Sequence, residues 1–193
     1  NIPVIACVCG VGKVNAAYGA TIMLEEFKVD TVYTIGIGGA YPSSGLGIED
    51  IVIAEKEIYG DEGLALKNSF HTLEEIQLPL IECDSVKYYN EFKMYIPQEL
   101  KSFQKKGNFV TLSSCTGSLT KAYVLEKKFD AICENMEGAA VAHICTLYGK
   151  PNVEIRGISN IISERTSEPL NRQDLIKASH RVQEFFIEFC RNL

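Results

Sequence analysis

Apolar runs of strand length that stop at glycine or polar residues and hand over to stretches of helical period constrain this chain more than any other feature. Ile2 to Cys9 is such a run, ended by Gly10-Val11-Gly12 and followed by Lys13 to Phe27 with Ala17, Ala20, Leu24 and Phe27 at helical spacing. The pattern recurs. Thr31 to Ile37 predicts a strand that the Gly36-Ile37-Gly38-Gly39 loop breaks, and Ile51 to Ala54 and Phe109 to Leu112 predict short buried strands. Leu119 to Phe129 predicts a helix and Ala131 to Cys133 a strand. Glu137 to Tyr148 predicts a helix with Ala140, Val141, Ile144 and Tyr148 on one face, and Val153 to Ser159 a strand. Arg172 to Leu193 presents Leu175, Ala178, Val182, Phe185, Phe186 and Phe189 as one stripe, a long helix docked on the sheet. Tyr59 to Leu80 is polar and aperiodic and reads as a loop or lid. Strands alternating with helices imply a three-layer α/β/α sandwich around a central, mostly parallel mixed sheet. Ligands of such sheets gather beyond the carboxyl ends of the strands, where the glycine loop after Ile35, the Asn135-Met136-Glu137 turn and Ser159-Asn160 fall.

With 193 residues, 46% of them hydrophobic, the chain reads as one domain over 1–193. A chain of this size buries roughly 70% of the surface its unfolded form exposes, enough for a full core. No apolar stretch approaches the roughly 20 residues that cross a bilayer, and no basic segment with an apolar follow-on opens the chain, so it reads as soluble, unsecreted and cytoplasmic. The formal charge of -6 is spread along the sequence, with no concentrated basic face for nucleic acid. The seven cysteines are odd in number, lack a C-x-x-C pair and read as reduced core thiols. Cys7 and Cys9 would share a strand face, but no His or acidic residue stands at ligand spacing, so no metal is expected. His71, His143 and His180 have no Ser or Cys plus acid around them that would make a triad.

Gly10-Val11-Gly12-Lys13 fails as a phosphate loop because Val14 follows the lysine, and as a dinucleotide fingerprint because Asn15 stands where the third glycine belongs. Gly36 to Gly39 would let backbone amides approach a ligand, or would simply end a strand. An ionised Glu134 or Glu137 at a buried strand-to-helix junction needs a cleft, a helix N-terminus or a polar ligand. The plainer alternatives are a dipole role for Glu137 and an exposed face for Glu134. Ser159 and Asn160 after Arg156 would equally serve a cap or turn.

Taken in order, Gly10 to Ala17, Gly36 to Pro42, Tyr59-Gly60-Asp61-Glu62-Gly63, Glu134-Asn135-Met136-Glu137-Gly138-Ala139-Ala140 and Arg156-Gly157-Ile158-Ser159-Asn160 resemble the nucleoside phosphorylase and nucleosidase superfamily across nearly the whole chain. Within it the chain most resembles the futalosine hydrolases, whose sister family is the methylthioadenosine/S-adenosylhomocysteine nucleosidases. The resemblance implies that Glu137 is catalytic and accepts hydrogen bonds from the ribose hydroxyls, with Asn135 and Met136 binding substrate beside it, Met136 under the sugar. It places Ile37 and Gly38 beside sugar and base, Cys115 and Thr116 along the purine, and Ser159 next to Asn160 at the base edge. Asn160 stands where the adenine-specific sister family has Asp; an amide both donates and accepts, which suits a 6-oxopurine. The expected reaction is hydrolysis of futalosine with release of hypoxanthine, in menaquinone biosynthesis, with no cofactor. The alternatives are a methylthioadenosine/S-adenosylhomocysteine or aminodeoxyfutalosine nucleosidase releasing adenine, or a non-catalytic purine-binding homologue. Tyr33-Thr34-Ile35 lacks the arginine that phosphorylases carry before the glycine loop, which favours water over phosphate as nucleophile. The family's opening strand and its water-orienting glutamate would fall before Asn1, leaving the general base unassigned. A homodimer or larger assembly is implied, its partner closing the pocket near Tyr59 to Gly63.

Overall fold

A computed structural model describes residues 3–83, 85–167 and 170–192. Helix α1 (Lys13–Glu26) leads to β1 (Val32–Ala40) and β2 (Ile51–Tyr59), then to the small hairpins β3 (Gly63–Ala65) with β4 (Phe70–Thr72) and β5 (Ile81–Cys83) with β6 (Val86–Tyr88). There follow β7 (Glu91–Lys93), a 3-10 turn over Gln98–Leu100, β8 (Lys106–Thr111), α2 (Leu119–Phe129), β9 (Ala131–Asn135), α3 (Gly138–Leu147), β10 (Asn152–Ile161) and α4 (Arg172–Arg191). The main sheet runs β10-β1-β9-β8-β2-β7, and β10 also pairs with β2, so five strands curl into a closed ring. Its long ladders, β1–β10, β2–β8 and β8–β9, are parallel; β1–β9, β2–β10 and β2–β7 are antiparallel.

Period-2 alternation sends each strand's residues to two layers. Val52, Ala54, Phe109, Cys133 and Ile158 pack against α1 and α3, while Ile51, Ile53, Val153 and Ile155 meet Val182 and Phe189 of α4. Ile58, Val110, Leu112 and Ala131 meet Ala122, Leu125 and Phe129 of α2. The three-layer α/β/α arrangement read from the sequence is therefore the observed one, with a mixed sheet at its centre. Side-chain caps start two of the helices: Ser118 accepts from Lys121 N, and Asn171 accepts from Gln173 N.

Several local expectations need correction. Residues 3–10 form no strand; Cys7 and Cys9 lie against Gly19 of α1, leaving Val4, Ile5 and Val8 exposed. A strand needs a partner's edge as well as an apolar pattern, and local spacing carries no information about that edge. The glycine stretch does not end β1, which continues to Ala40 with β10 and β9 on its two sides. Residues 59–80, read from the sequence as a loop or lid, contain the β3–β4 hairpin. Helix α1 buries Ala16, Gly19 and Ala20, with Ala17 and Leu24 at the margin and Phe27 exposed. Of the seven free cysteines only Cys133 and Cys145 are buried, whereas Cys7, Cys9, Cys83 and Cys115 are exposed.

Candidate active site

Strands β1 and β9 meet only at their carboxyl ends, where Gly39 pairs with Glu134 on one side and with Asn160 of β10 on the other. That crossing puts the Asn135-Met136-Glu137 turn and the Ser159-Asn160 segment on opposite flanks of the glycine stretch. A side chain at Gly36 would strike the Arg156 guanidinium, its Cβ falling 2.6 Å from Nη1, so glycine is what lets the arginine cross β1.

Arg156 organises the turn. Its Nε donates to Glu154 Oε1 at 2.7 Å, and its Nη1 donates to Glu137 Oε2 and to the Ile37 carbonyl, each at 3.0 Å. Nη2 reaches Asn135 Oδ1 at 3.3 Å. Arg156 is 3% exposed, and the carboxylates around it hold its pKa above the ordinary value despite burial. Glu137 is the N-cap residue of α3, yet its side chain caps nothing. It accepts instead from Gly12 N at 2.9 Å and from Arg156, and at 18% side-chain exposure it remains open to solvent. A carboxylate offers about four lone-pair positions; two are taken, and two remain for hydroxyl donors.

Asn135 is spent internally: its Oδ1 accepts from the Glu137 and Gly138 amides at 2.9 and 2.7 Å, and its Nδ2 donates to Glu57 Oε1 at 2.5 Å. It shapes the helix start, with one of its two N–H donors on Glu57. Ser159 Oγ lies 3.1 Å from the Gly38 carbonyl and 3.0 Å from Asn160 Oδ1, which fixes the amide of Asn160 beside Gly39. Cys115 Sγ sits 3.8 Å from Met136 Sδ, so the 113–116 loop closes over the turn. Thr116 N donates to Glu134 Oε1 at 2.8 Å, and Glu134, expected on an exposed face, is 5% exposed beneath that loop near the Tyr41 hydroxyl. Burial raises the Glu134 pKa against the pull of the Thr116 amide.

The remaining motifs meet beside this turn. Lys13 Nζ pairs with Asp61 and, at 2.9 Å, with Glu62, and stands 5.1 Å over the Tyr59 ring. Asp61 Oδ2 accepts from Ser113 N at 2.7 Å. The Gly12-Lys13 segment that mimics a phosphate loop thus holds carboxylates: Gly12 grips Glu137 and Lys13 ties down residues 61 and 62. His143 stacks on Phe92 with its Nδ1 3.4 Å from the Tyr59 hydroxyl, and burial lowers its pKa. Among the described residues no group of three His, Cys, Asp or Glu is placed to hold a metal ion.

The family model of the phosphorylase superfamily matches residues 1–193. The chain belongs to the phosphorylase superfamily. Among its relatives, the 5'-methylthioadenosine/S-adenosylhomocysteine nucleosidase of Maridesulfovibrio salexigens is 31% identical over 196 residues, which cover 100% of this chain and 83% of the relative. The solved S-adenosylhomocysteine nucleosidase of Streptococcus pyogenes, in complex with 5-methylthiotubericidin, superposes with a TM-score of 0.75 at 25% identity, covering 96% of this chain and 77% of that one. Futalosine hydrolase of Helicobacter pylori shares the fold at the same TM-score and 22% identity, covering 96% and 78%.

Arg156 links Glu137 to Ile37, Cys115 touches Met136, and Ser159 links Gly38 to Asn160. Four residues of the site were not picked out from the sequence: Arg156 as an ion-pair partner, Glu57, Glu154 and Thr111. A signal existed, because Glu154 and Arg156 alternate with Val153 and Ile155 in a run otherwise apolar enough to be buried on both faces.

Proposed function

We propose that the protein is a purine nucleosidase that hydrolyses the N-glycosidic bond of a 5'-substituted adenosine, of the methylthioadenosine/S-adenosylhomocysteine type that the 31% identical relative is named for. The observation that carries this reading is the Glu137 carboxylate, oriented by Gly12 N and Arg156 with acceptor positions free toward the cleft. Glu137 takes the hydrogen bonds of the ribose 2'- and 3'-hydroxyls. The C1'–N9 bond breaks, its electron pair leaves with the base, and the base gains a proton; a water adds to C1' and gives one up. Positive charge grows on the sugar in the transition state, and a fixed carboxylate under the ring favours it. Met136 packs beneath the sugar, Ile37 and Gly38 line its side, and Cys115 and Thr116 flank the base. Asn160, steadied by Ser159, meets the purine edge; Asn135 and Arg156 position Glu137. Tyr33-Thr34-Ile35 offers no guanidinium for phosphate, which supports water as nucleophile.

Asn160 itself favours a second reading, futalosine hydrolysis with release of hypoxanthine in menaquinone biosynthesis. With Oδ1 turned to Ser159, its Nδ2 is left to donate, and a 6-oxopurine presents the acceptors O6 and N7 on that edge. Incubating purified protein separately with methylthioadenosine and with futalosine, and following the released base by chromatography, separates the two. Adenine release supports the first reading and hypoxanthine release alone moves the assignment to the second. Purine binding by calorimetry without release of either base leaves a non-catalytic purine-binding homologue.

A further inference from the structure

Behind the Arg156–Glu137 pair lie two more carboxyl groups that the reaction does not touch. Glu57 of β2 and Glu154 of β10 are both 0% exposed. They face each other across the first turn of α3: a Cβ at Gly138 would collide with Oε1 of Glu57 and with both oxygens of Glu154. Their acceptors can be accounted for one by one. Glu57 Oε1 takes the Asn135 amide at 2.5 Å and Oε2 the Thr111 hydroxyl at 2.7 Å, while Glu154 Oε1 takes Arg156 Nε at 2.7 Å. Glu154 Oε2 is buried with no donor among these groups. The titratable and charged groups facing Glu57 are Glu154 and Arg156 from β10, Cys133 from β9 and Tyr59 from its own strand, and Arg156 faces Glu137 in turn. One cation therefore stands among three carboxyls. A proton carried by Glu57 would supply the donor that Glu154 Oε2 lacks.

We propose that Glu57 and Glu154 share one proton and act as positioning residues for Arg156, and through it for Glu137, so that losing this proton sets the alkaline limit of activity. The proposal rests on the nucleosidase reading above. Two buried carboxylates side by side cannot both ionise cheaply. With the proton on Glu57, the single charge of Glu154 is matched by Arg156 Nε, and Nη1 stays with Glu137 and Ile37. When the proton leaves, a second negative charge behind the guanidinium competes for it and draws it from Glu137 Oε2. Burial and the neighbouring Glu154 push the Glu57 pKa well above the ordinary carboxylate value.

The test uses the purified chain, with Glu57→Gln and Glu57→Ala variants. A glutamine imitates the protonated acid, its amide donating to Glu154 Oε2 and its carbonyl accepting; alanine removes the proton and leaves the acceptor bare. Two readouts are taken: the infrared carbonyl band of protonated carboxyls at neutral pH, and kcat/KM for base release from about pH 6 to about pH 10. The wild type is expected to show a band that Glu57→Gln loses, even where Glu134 contributes to both spectra, and an alkaline fall in kcat/KM that Glu57→Gln lacks. Glu57→Ala should lose about 100-fold, the cost of a misplaced catalytic group, and Glu57→Gln should recover most of it. Identical carboxyl bands in wild type and Glu57→Gln, or an unchanged alkaline fall in Glu57→Gln, would overturn the proposal. Should Glu57→Ala not fold, the glutamine variant decides by both readouts. A band lost in Glu57→Gln with no nucleoside hydrolysed at any pH keeps the shared proton and refutes the reading on which its catalytic role rests.

Discussion

Arg156 Nη1 lies 3.0 Å from Glu137 Oε2, joining the middle of β10 to the residue that opens α3. The same nitrogen holds the Ile37 carbonyl, so one buried guanidinium fixes a carboxylate and the glycine strand together. Removing it strands charge: replacing Arg156 with Met should destabilise the protein by about 3–5 kcal/mol, the usual cost of leaving a buried ion unpaired. Lys keeps the charge without the fork, so Arg156→Lys should retain more stability than Met yet lose activity. Denaturant unfolding and kcat/KM, measured on both variants, check the order.

Glu137→Gln separates charge from shape at the same point. The amide keeps the volume and one acceptor, so the fold should survive with little change in melting temperature. Loss of the negative charge under the sugar should lower kcat/KM by about 100- to 1000-fold, in the range seen when one preorganised electrostatic group is removed. Comparable activity in the variant would take Glu137 out of the chemistry.

Gly138→Ala reverses the sign expected from helix propensity. In an open helix position alanine is favoured over glycine by about 1 kcal/mol. Here the added methyl meets the oxygens of Glu57 and Glu154, both fully buried, and overpacking of this kind costs about 1–3 kcal/mol. A urea midpoint lower than wild type confirms that the two carboxyls are packed against the helix start; a higher one means they swing aside.

What the sequence made legible follows from the range of the signal. Glu137 and Asn160 are legible as polar residues at strand ends, but their roles, like that of Met136, are legible only through the resemblance of the motifs around them. Helix α4 was readable because Ala178, Val182 and Phe189 recur on one face of a single element. Arg156 meeting Glu137, or Thr111 meeting Glu57, depends on β2, β8 and β10 lying in one ring, and no window of neighbouring residues encodes that closure. The same holds for residues 3–10, whose apolar content announces a strand while pairing is decided elsewhere.

Glu134 gives the protein a pH dependence of stability with a definite sign. Its native pKa is raised by burial, so the folded state holds its proton more tightly than the unfolded state does. That contribution is complete below the unfolded carboxylate value of about 4.5 and is lost as pH climbs through the native value. Glu134→Gln, which keeps an acceptor for Thr116 N, should therefore show a flatter decline of melting temperature above about pH 4.5 than the wild type. Parallel curves for the two proteins would mean that Glu134 is solvated when folded.

Asn160→Asp tests recognition of the base apart from its release. An ionised aspartate accepts and does not donate, so it suits a 6-amino group and, once protonated, N7; the amide of Asn160 suits O6 or N7 as a donor. Placing Asp beside the Ser159 hydroxyl, which donates to either residue, leaves the strand geometry intact. The ratio of kcat/KM for methylthioadenosine over futalosine should rise in the variant by about 10-fold or more, since a mispaired buried polar group costs about 1–3 kcal/mol. The comparison is internal to one protein preparation, which removes differences in folding. An unchanged ratio would place the base edge away from residue 160 and transfer its recognition to the Cys115-Thr116 side of the cleft.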